Sequence, residues 1–454
     1  MKKLIILNVL ICSVITAQTS IKIYNQGRAL VQEERQKKFS QTGKQNLLVL
    51  KLPNSTESSS INLFSNEMQF ISKEYIYRPI SIESLLNVNA NREIELVKYG
   101  EDGNITFSKK GKLISNVNVP VFEIDGKIVI NPPYNYRFSD IPDDIKDYPY
   151  LKCVVNSLSK NADYNLTYLT RGIGWEAEYN LYLTSDINSE IEGWYSIQND
   201  NNIAYEDVDV TLVSGEVNFE VQGHNSQFAK LRTTAAMART GSTQSMQPEI
   251  GETENYSLFH IPEKISLSAK SQIRNKFVNE SQLPYNNNYH ISHSLSRFRR
   301  NTPAQTINVP VFVRIELLAK NVGDFQLPKG KYTVYEKDGD DLTYIGASLS
   351  GIAEGDDVIK LEIGKTHDIL CTFTVQGYKI NKNRGDVDLD VLFENRKDKP
   401  VTIKWIEHFS DGRWEITNTK QKYIKLDAYR VEFTVEVPEK SKKKVAFSAK
   451  IEKE

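Results

Sequence analysis

A stretch that alternates apolar and polar side chains at every second position can bury one face only as a β-strand. That alternation runs through most of this chain. Val431, Phe433, Val435 and Val437 share one face, with Glu432, Thr434 and Glu436 opposite. Val445, Phe447, Ala449 and Ile451 repeat the pattern, as do Val309, Val311, Val313, Ile315 and Leu317. Turn dipeptides punctuate the runs at Asp102-Gly103, Asp125-Gly126, Asp338-Gly339 and Asp411-Gly412, each between plausible hairpin arms. No long helical period is visible. The sequence predicts an all-β, multi-domain β-sandwich protein with an immunoglobulin-like C-terminal domain and a long irregular insertion.

At roughly 150 residues per domain, 454 residues suggest about three. The expected division is an N-terminal β domain over 18–155, a central β domain over 156–367 carrying a flexible insertion at 222–305, and the immunoglobulin-like sandwich over 368–454. Seven short strands are predicted in the last, at 369–375, 387–393, 401–409, 414–416, 423–426, 429–437 and 445–451. The cysteine pair and central tryptophan of true antibody domains read as absent, so the expectation concerns architecture only. The insertion opens on a stretch over 222–254 rich in Ser, Thr, Gln, Ala and Gly, continues in a short strand pair at 256–261 and 264–267, and is polar again over 279–305. It carries ten Lys/Arg against five Asp/Glu, and reads as a disordered excursion or as a basic partner-docking loop.

Met1-Lys2-Lys3, the apolar run Leu4 to Ile15 and the small-residue exit Thr16-Ala17 have the order of a secretory signal peptide over 1–17. The run is too short to span a bilayer, and Ile11 before Cys12 argues against a lipid anchor. The expected location is outside the cytoplasm: periplasm, outer envelope surface or extracellular. Fifty-seven Lys/Arg nearly cancel 58 Asp/Glu, which removes the usual electrostatic ground for nucleic-acid binding. Beyond the leader the cysteines are Cys153 and Cys371, both inside apolar runs. They read as buried free thiols, and a bridge would need their Cα atoms within about 7 Å.

The most distinctive run is Leu166-Thr-Tyr-Leu-Thr-Arg-Gly-Ile-Gly-Trp175-Glu-Ala-Glu-Tyr179, continued by Gly193-Trp194, Gln198-Asn199 and Tyr205-Glu-Asp-Val-Asp-Val-Thr-Leu212-Val-Ser-Gly-Glu216. With Ile23-Tyr-Asn-Gln-Gly-Arg28-Ala-Leu-Val31 and Leu327-Pro-Lys-Gly-Lys-Tyr-Thr-Val-Tyr335, it resembles a bacterial exported family, domain of unknown function 4139. That family also forms the end of mucoidy-inhibitor A type proteins. The resemblance spans essentially the whole chain after the leader and implies no activity or catalytic residue. The mucoidy-inhibitor branch would imply a modulator of exopolysaccharide output, but its long coiled coil has no counterpart here.

Gly172 and Gly174 bracket Ile173 in a strand otherwise full of side chains, as at a bulge or a close backbone approach. One reading seats Trp175 and Tyr179 in the core, with Arg171 at the rim. The other makes Arg171, Trp175 and Tyr179 a binding surface. No serine-nucleophile elbow, His-Glu-x-x-His or phosphate-cradling glycine loop is present. His290 and His293 have helical metal-ligand spacing but no third ligand nearby. Asp386, Asp388 and Asp390 share one strand face and lack the glycine and glutamate of an EF-hand; a solvated face opposite lysines explains them. No catalytic residue, metal site or cofactor is assigned. The expected function is a non-catalytic binding or scaffolding module of the cell envelope, whose partner is an unknown envelope protein or glycan. The alternatives are a glycan or peptide hydrolase, and a sugar-binding platform built from the abundant tyrosines.

Overall fold

The computed structural model describes residues 18–215, 217, 219, 250–253, 256–295, 304–381, 384–409 and 413–452. The expected leader at 1–17, the whole 222–249 stretch and the dipeptide Asp411-Gly412 lie outside the described residues. Nearly all regular structure is β. The one α-helix among the described residues is Ile82–Val88, capped by the Ser81 hydroxyl, which accepts from Ser84 N at 3.1 Å. No helix among these residues is long and apolar enough to cross a membrane.

The chain divides into two compact units. The first holds residues 1–175, 197–215 and 258–273. Its main sheet places Tyr205–Ser214, Thr19–Tyr24, Arg28–Lys38, Asn161–Arg171 and Asn62–Phe64 side by side. Thr19–Tyr24 runs parallel to Tyr205–Ser214, and Arg28–Lys38 pairs along its whole length with Asn161–Arg171. A three-stranded sheet of Gly43–Val49, Tyr150–Ser157 and Met68–Ile76 meets it through Phe70 and Tyr164, edge to face at 6.5 Å. Between Met68–Ile76 and Tyr150–Ser157 the chain builds a separate five-stranded sheet with its own small core of Leu86, Ile94, Leu96, Leu113 and Phe122. A domain boundary at 155/156 is therefore incorrect: strands on both sides of it share the main sheet. Alternation identifies strands but does not say which ones pair.

The second unit holds residues 176–196, 216–257 and 274–454. Its C-terminal part is a two-sheet sandwich. Gln305–Val309, Ile369–Asn381, Arg384–Asn395, Ser441–Glu452 and Arg413–Thr419 form one sheet. Val401–His408, Arg430–Val437 and Tyr423–Lys425 belong to the other. All seven strands predicted beyond residue 368 are present. Trp405 stacks on Phe433 at 4.4 Å and meets Phe373 and Phe447 of the opposite sheet at 5.2 and 5.3 Å. A central tryptophan therefore does exist, at a spacing the antibody pattern does not predict.

The stretch expected to be irregular contains Tyr256–His260 and Ile265–Leu267, strands at the predicted positions that pair with Tyr205–Ser214 rather than with each other, and then a 24-residue strand, Ser271–Ser294. The latter pairs antiparallel with Phe312–Leu318 and parallel with Val401–His408. Its polar composition conceals the buried Phe277, Val278, Leu283, Tyr285, Tyr289 and Ile291.

Candidate functional site

In the first unit, Asn161–Arg171 ends on Arg171, and the register places Arg28 of the neighbouring strand directly opposite it. Two like charges facing each other across a ladder repel. Glu57 resolves the conflict: its Oε1 lies 3.0 Å from Arg28 Nε and 2.9 Å from Arg171 Nε. The carboxylate is held in place by its own backbone, since Glu57 N donates to Leu169 O at 2.9 Å and Arg171 N donates to Ser55 O at 3.2 Å. The Glu57 side chain is 15% exposed and that of Arg171 53%.

The chain turns at this cluster through two glycines in left-handed conformation, Gly27 and Gly172, at φ +73° and +75°, where a Cβ would be strained. Gly172 N donates to Gly27 O at 3.1 Å, and a Cβ on Gly174 would stand 3.2 Å from the Gly27 Cα. The glycine pair thus marks a close backbone approach. Below it, Asn201 donates through Nδ2 to Arg171 O at 3.0 Å, and its own N–H donates to Asn199 Oδ1 at 3.1 Å. Asn199 in turn donates to Ile203 O and Ser268 O. Ser55 donates to Arg171 O at 2.8 Å and also meets Asn201. Separated pieces of the distinctive sequence run (Gly27-Arg28, Arg171 to Gly174, Gln198-Asn199) converge here.

The three residues expected to form a binding surface have different fates. Trp175 is buried in the first unit, donating from Nε1 to Val213 O at 3.2 Å and meeting Phe259 edge to face. Tyr179 is buried in the second unit, donating to Pro328 O at 2.8 Å and stacking on Tyr332 at 4.3 Å. Both rings serve the core, since on a strand one face alternates inward and large aromatics gain most by burial. Only Arg171 remains at the surface. Its ion-pair partner Glu57 and the facing Arg28 escaped sequence reasoning; Arg28 lay inside a quoted run, whereas nothing local signals Glu57.

Several other ionisable groups also have partners. In the first unit Tyr168 donates to Glu33 Oε1 at 2.8 Å, and Arg35 pairs with Glu33 at 2.6 Å. Burial holds the Tyr168 and Tyr205 hydroxyls well above the ordinary phenol range. It also raises the Cys153 thiol to about 11 and pushes the Cys371 thiol up; both thiols are free. In the second unit His290 and His293 point to opposite faces of their strand, as three-residue spacing requires in extended chain. His290 Nε2 lies 2.7 Å from Glu362, while His293 Nδ1 lies 2.8 Å from the buried Glu407. The Asp386–Asp390 ladder faces lysines and a serine: Asp390 pairs with Lys444 at 2.9 Å and Asp388 accepts from Ser448 at 2.6 Å. The Lys444 hydrogen bond is the main cause of a lowered Asp390 carboxyl. Among the described residues no three His, Cys, Asp or Glu are grouped to hold a metal ion.

No protein-family model matches this chain, and no curated protein matches it.

Proposed function

We propose that this chain is a non-catalytic binding or scaffolding module, exported to the cell envelope and related to the exported family that its sequence runs resemble. The observation that carries the reading is the state of its ionisable groups. The strongly buried phenols and thiols are pushed towards their neutral forms, and the inward carboxylates Glu33, Glu57 and Glu407 each meet a cationic or imidazole partner. Catalytic acids and bases need a proton affinity near the working pH and an open path to substrate; the phenols and thiols lack the first, and the fully buried Glu407 lacks the second. Export is supported by the leader-like order of residues 1–17.

The test has two arms. The purified chain is incubated with envelope glycans and peptides and the products analysed by mass spectrometry; no turnover is expected, and turnover sensitive to Glu33→Gln or Glu57→Gln overturns the reading. In parallel, the chain with and without residues 222–249, a deletion that spares the strand Ser271–Ser294, is used to capture partners from its own envelope. A specific partner is expected with the full chain, and equal, empty recovery in both counts against a binding module.

A further inference from the structure

The Arg28–Glu57–Arg171 cluster has one more positive charge than negative, and the excess is held in a fixed direction. Glu57 engages Arg171 through Nε, which leaves the two Nη groups of a half-exposed guanidinium with no partner among the described residues. An end-on guanidinium fork offers two parallel N–H donors, spaced for two oxygens of one carboxylate or phosphate. Arginines directly opposite each other cost stability, so an arrangement that holds both of them by Nε on one carboxylate oxygen calls for a use. Two other charged side chains in this unit are engaged: Lys270 donates to Asp200 O at 2.5 Å, and the Asp200 carboxylate accepts from Gln198 at 2.8 Å. The surrounding donors and acceptors, Ser55, Asn201 and Asn199, are neutral and already engaged.

We infer that Arg171, held by Glu57 and backed by Arg28, is a binding site for an oxyanion, a carboxylate or a phosphate carried on the ligand. This rests on the reading of the chain as a binding module and gives that module a chemical preference. Arg171 supplies the fork, and Glu57 is a positioning residue.

The full chain is titrated by calorimetry with inorganic phosphate, with a short oligogalacturonate, and with the methyl ester of the same oligomer. Saturable binding of phosphate or of the free acid, and none of the ester, is expected; which of the two binds assigns the ligand's anion. Arg171→Gln is expected to abolish the binding, and Arg171→Lys, which keeps the charge and loses the fork, to weaken it about tenfold or more. Glu57→Gln adds positive charge, so bulk attraction alone predicts tighter binding, whereas loss of the clamp predicts weaker binding. Weaker binding supports the inference. Tighter binding by Glu57→Gln, unchanged binding by Arg171→Gln, or no binding of either anion overturns it. Because the Arg171 side chain is half exposed, thermal unfolding matched to the parent shows that the variants fold. Turnover of a substrate would sink the non-catalytic reading alone, leaving Arg171-dependent binding to be judged separately.

Discussion

Glu407 sits where the alternation of Val401, Ile403 and Trp405 asks for an apolar side chain, and it is fully buried. Its oxygens lie 2.8 and 2.9 Å from His293 Nδ1, and one also accepts from Trp405 Nε1 at 3.0 Å. Removing one partner of a buried pair strands the other, so His293→Ala should cost about 3–5 kcal/mol of unfolding free energy in urea titration. A near-zero cost would show that the pair is not buried as described. His290, on the other face, is held below its ordinary value by burial first and by Arg314 second, against the opposing pull of Glu362 and Glu316. A depressed imidazole favours the fold above the unfolded histidine range, near pH 6.5, and that contribution is lost as pH falls through the folded value. His290→Gln should therefore flatten the stability curve between about pH 7 and 5, measured as the urea midpoint at each pH; an unchanged slope would remove His290 as its source. Neither role was legible in the sequence. The three-residue spacing suggested a shared helical face, and only the extended backbone separates the two rings.

The element scale shows where alternation succeeds and where it stops. Most strands beyond residue 368 keep period two because one face is wet, as in Val401–His408 and Arg430–Val437, and all seven could be read directly although Tyr423–Lys425 is exposed throughout. Ser271–Ser294 escaped because Phe277 and Val278 are buried in succession, as are Tyr289, His290 and Ile291, and Gln282 adopts a positive φ of 59°. Burial on both faces and a local irregularity erase the period. Pairing partners were equally hidden. Gly330 of Gly330–Asp338 lies opposite Ala177 in a parallel pair, where an added Cβ would stand 2.3 Å from Ala177 O and 2.6 Å from Tyr179. Gly330→Ala should then destabilise by about 1–3 kcal/mol through overpacking, read by urea denaturation; a neutral result would mean that the strands can separate there at no cost. Trp405→Ala, which empties the sandwich centre, should cost about 3–5 kcal/mol in the same measurement.

At the scale of the whole molecule, the C-terminal sandwich is incomplete within the boundaries expected from sequence. Gln305–Val309 pairs with Ile369–Asn381, and Ser271–Ser294 pairs with Val401–His408 and supplies His293 to Glu407. A fragment of residues 368–454 should therefore be unfolded by amide chemical-shift dispersion, whereas one starting at 274 should recover ordered signals; a folded short fragment would show that the added strands are dispensable. The all-β class and the C-terminal strand set were legible, because both follow from local pattern. The division into units was not, because it depends on contacts between distant segments. Of the candidate site, Arg171 was visible and its carboxylate was not.

The parallel partnership of Thr19–Tyr24 with Tyr205–Ser214 also has a temporal consequence. Ser20 meets Asp209, so about 190 residues must leave the ribosome before this ribbon finds its neighbour, a delay of roughly 10–40 s at ordinary synthesis rates. Throughout that interval an adhesive β-edge stands open to other nascent chains. Overproduction that outruns export, with no holding chaperone supplied, should therefore yield aggregates nucleated at the amino end.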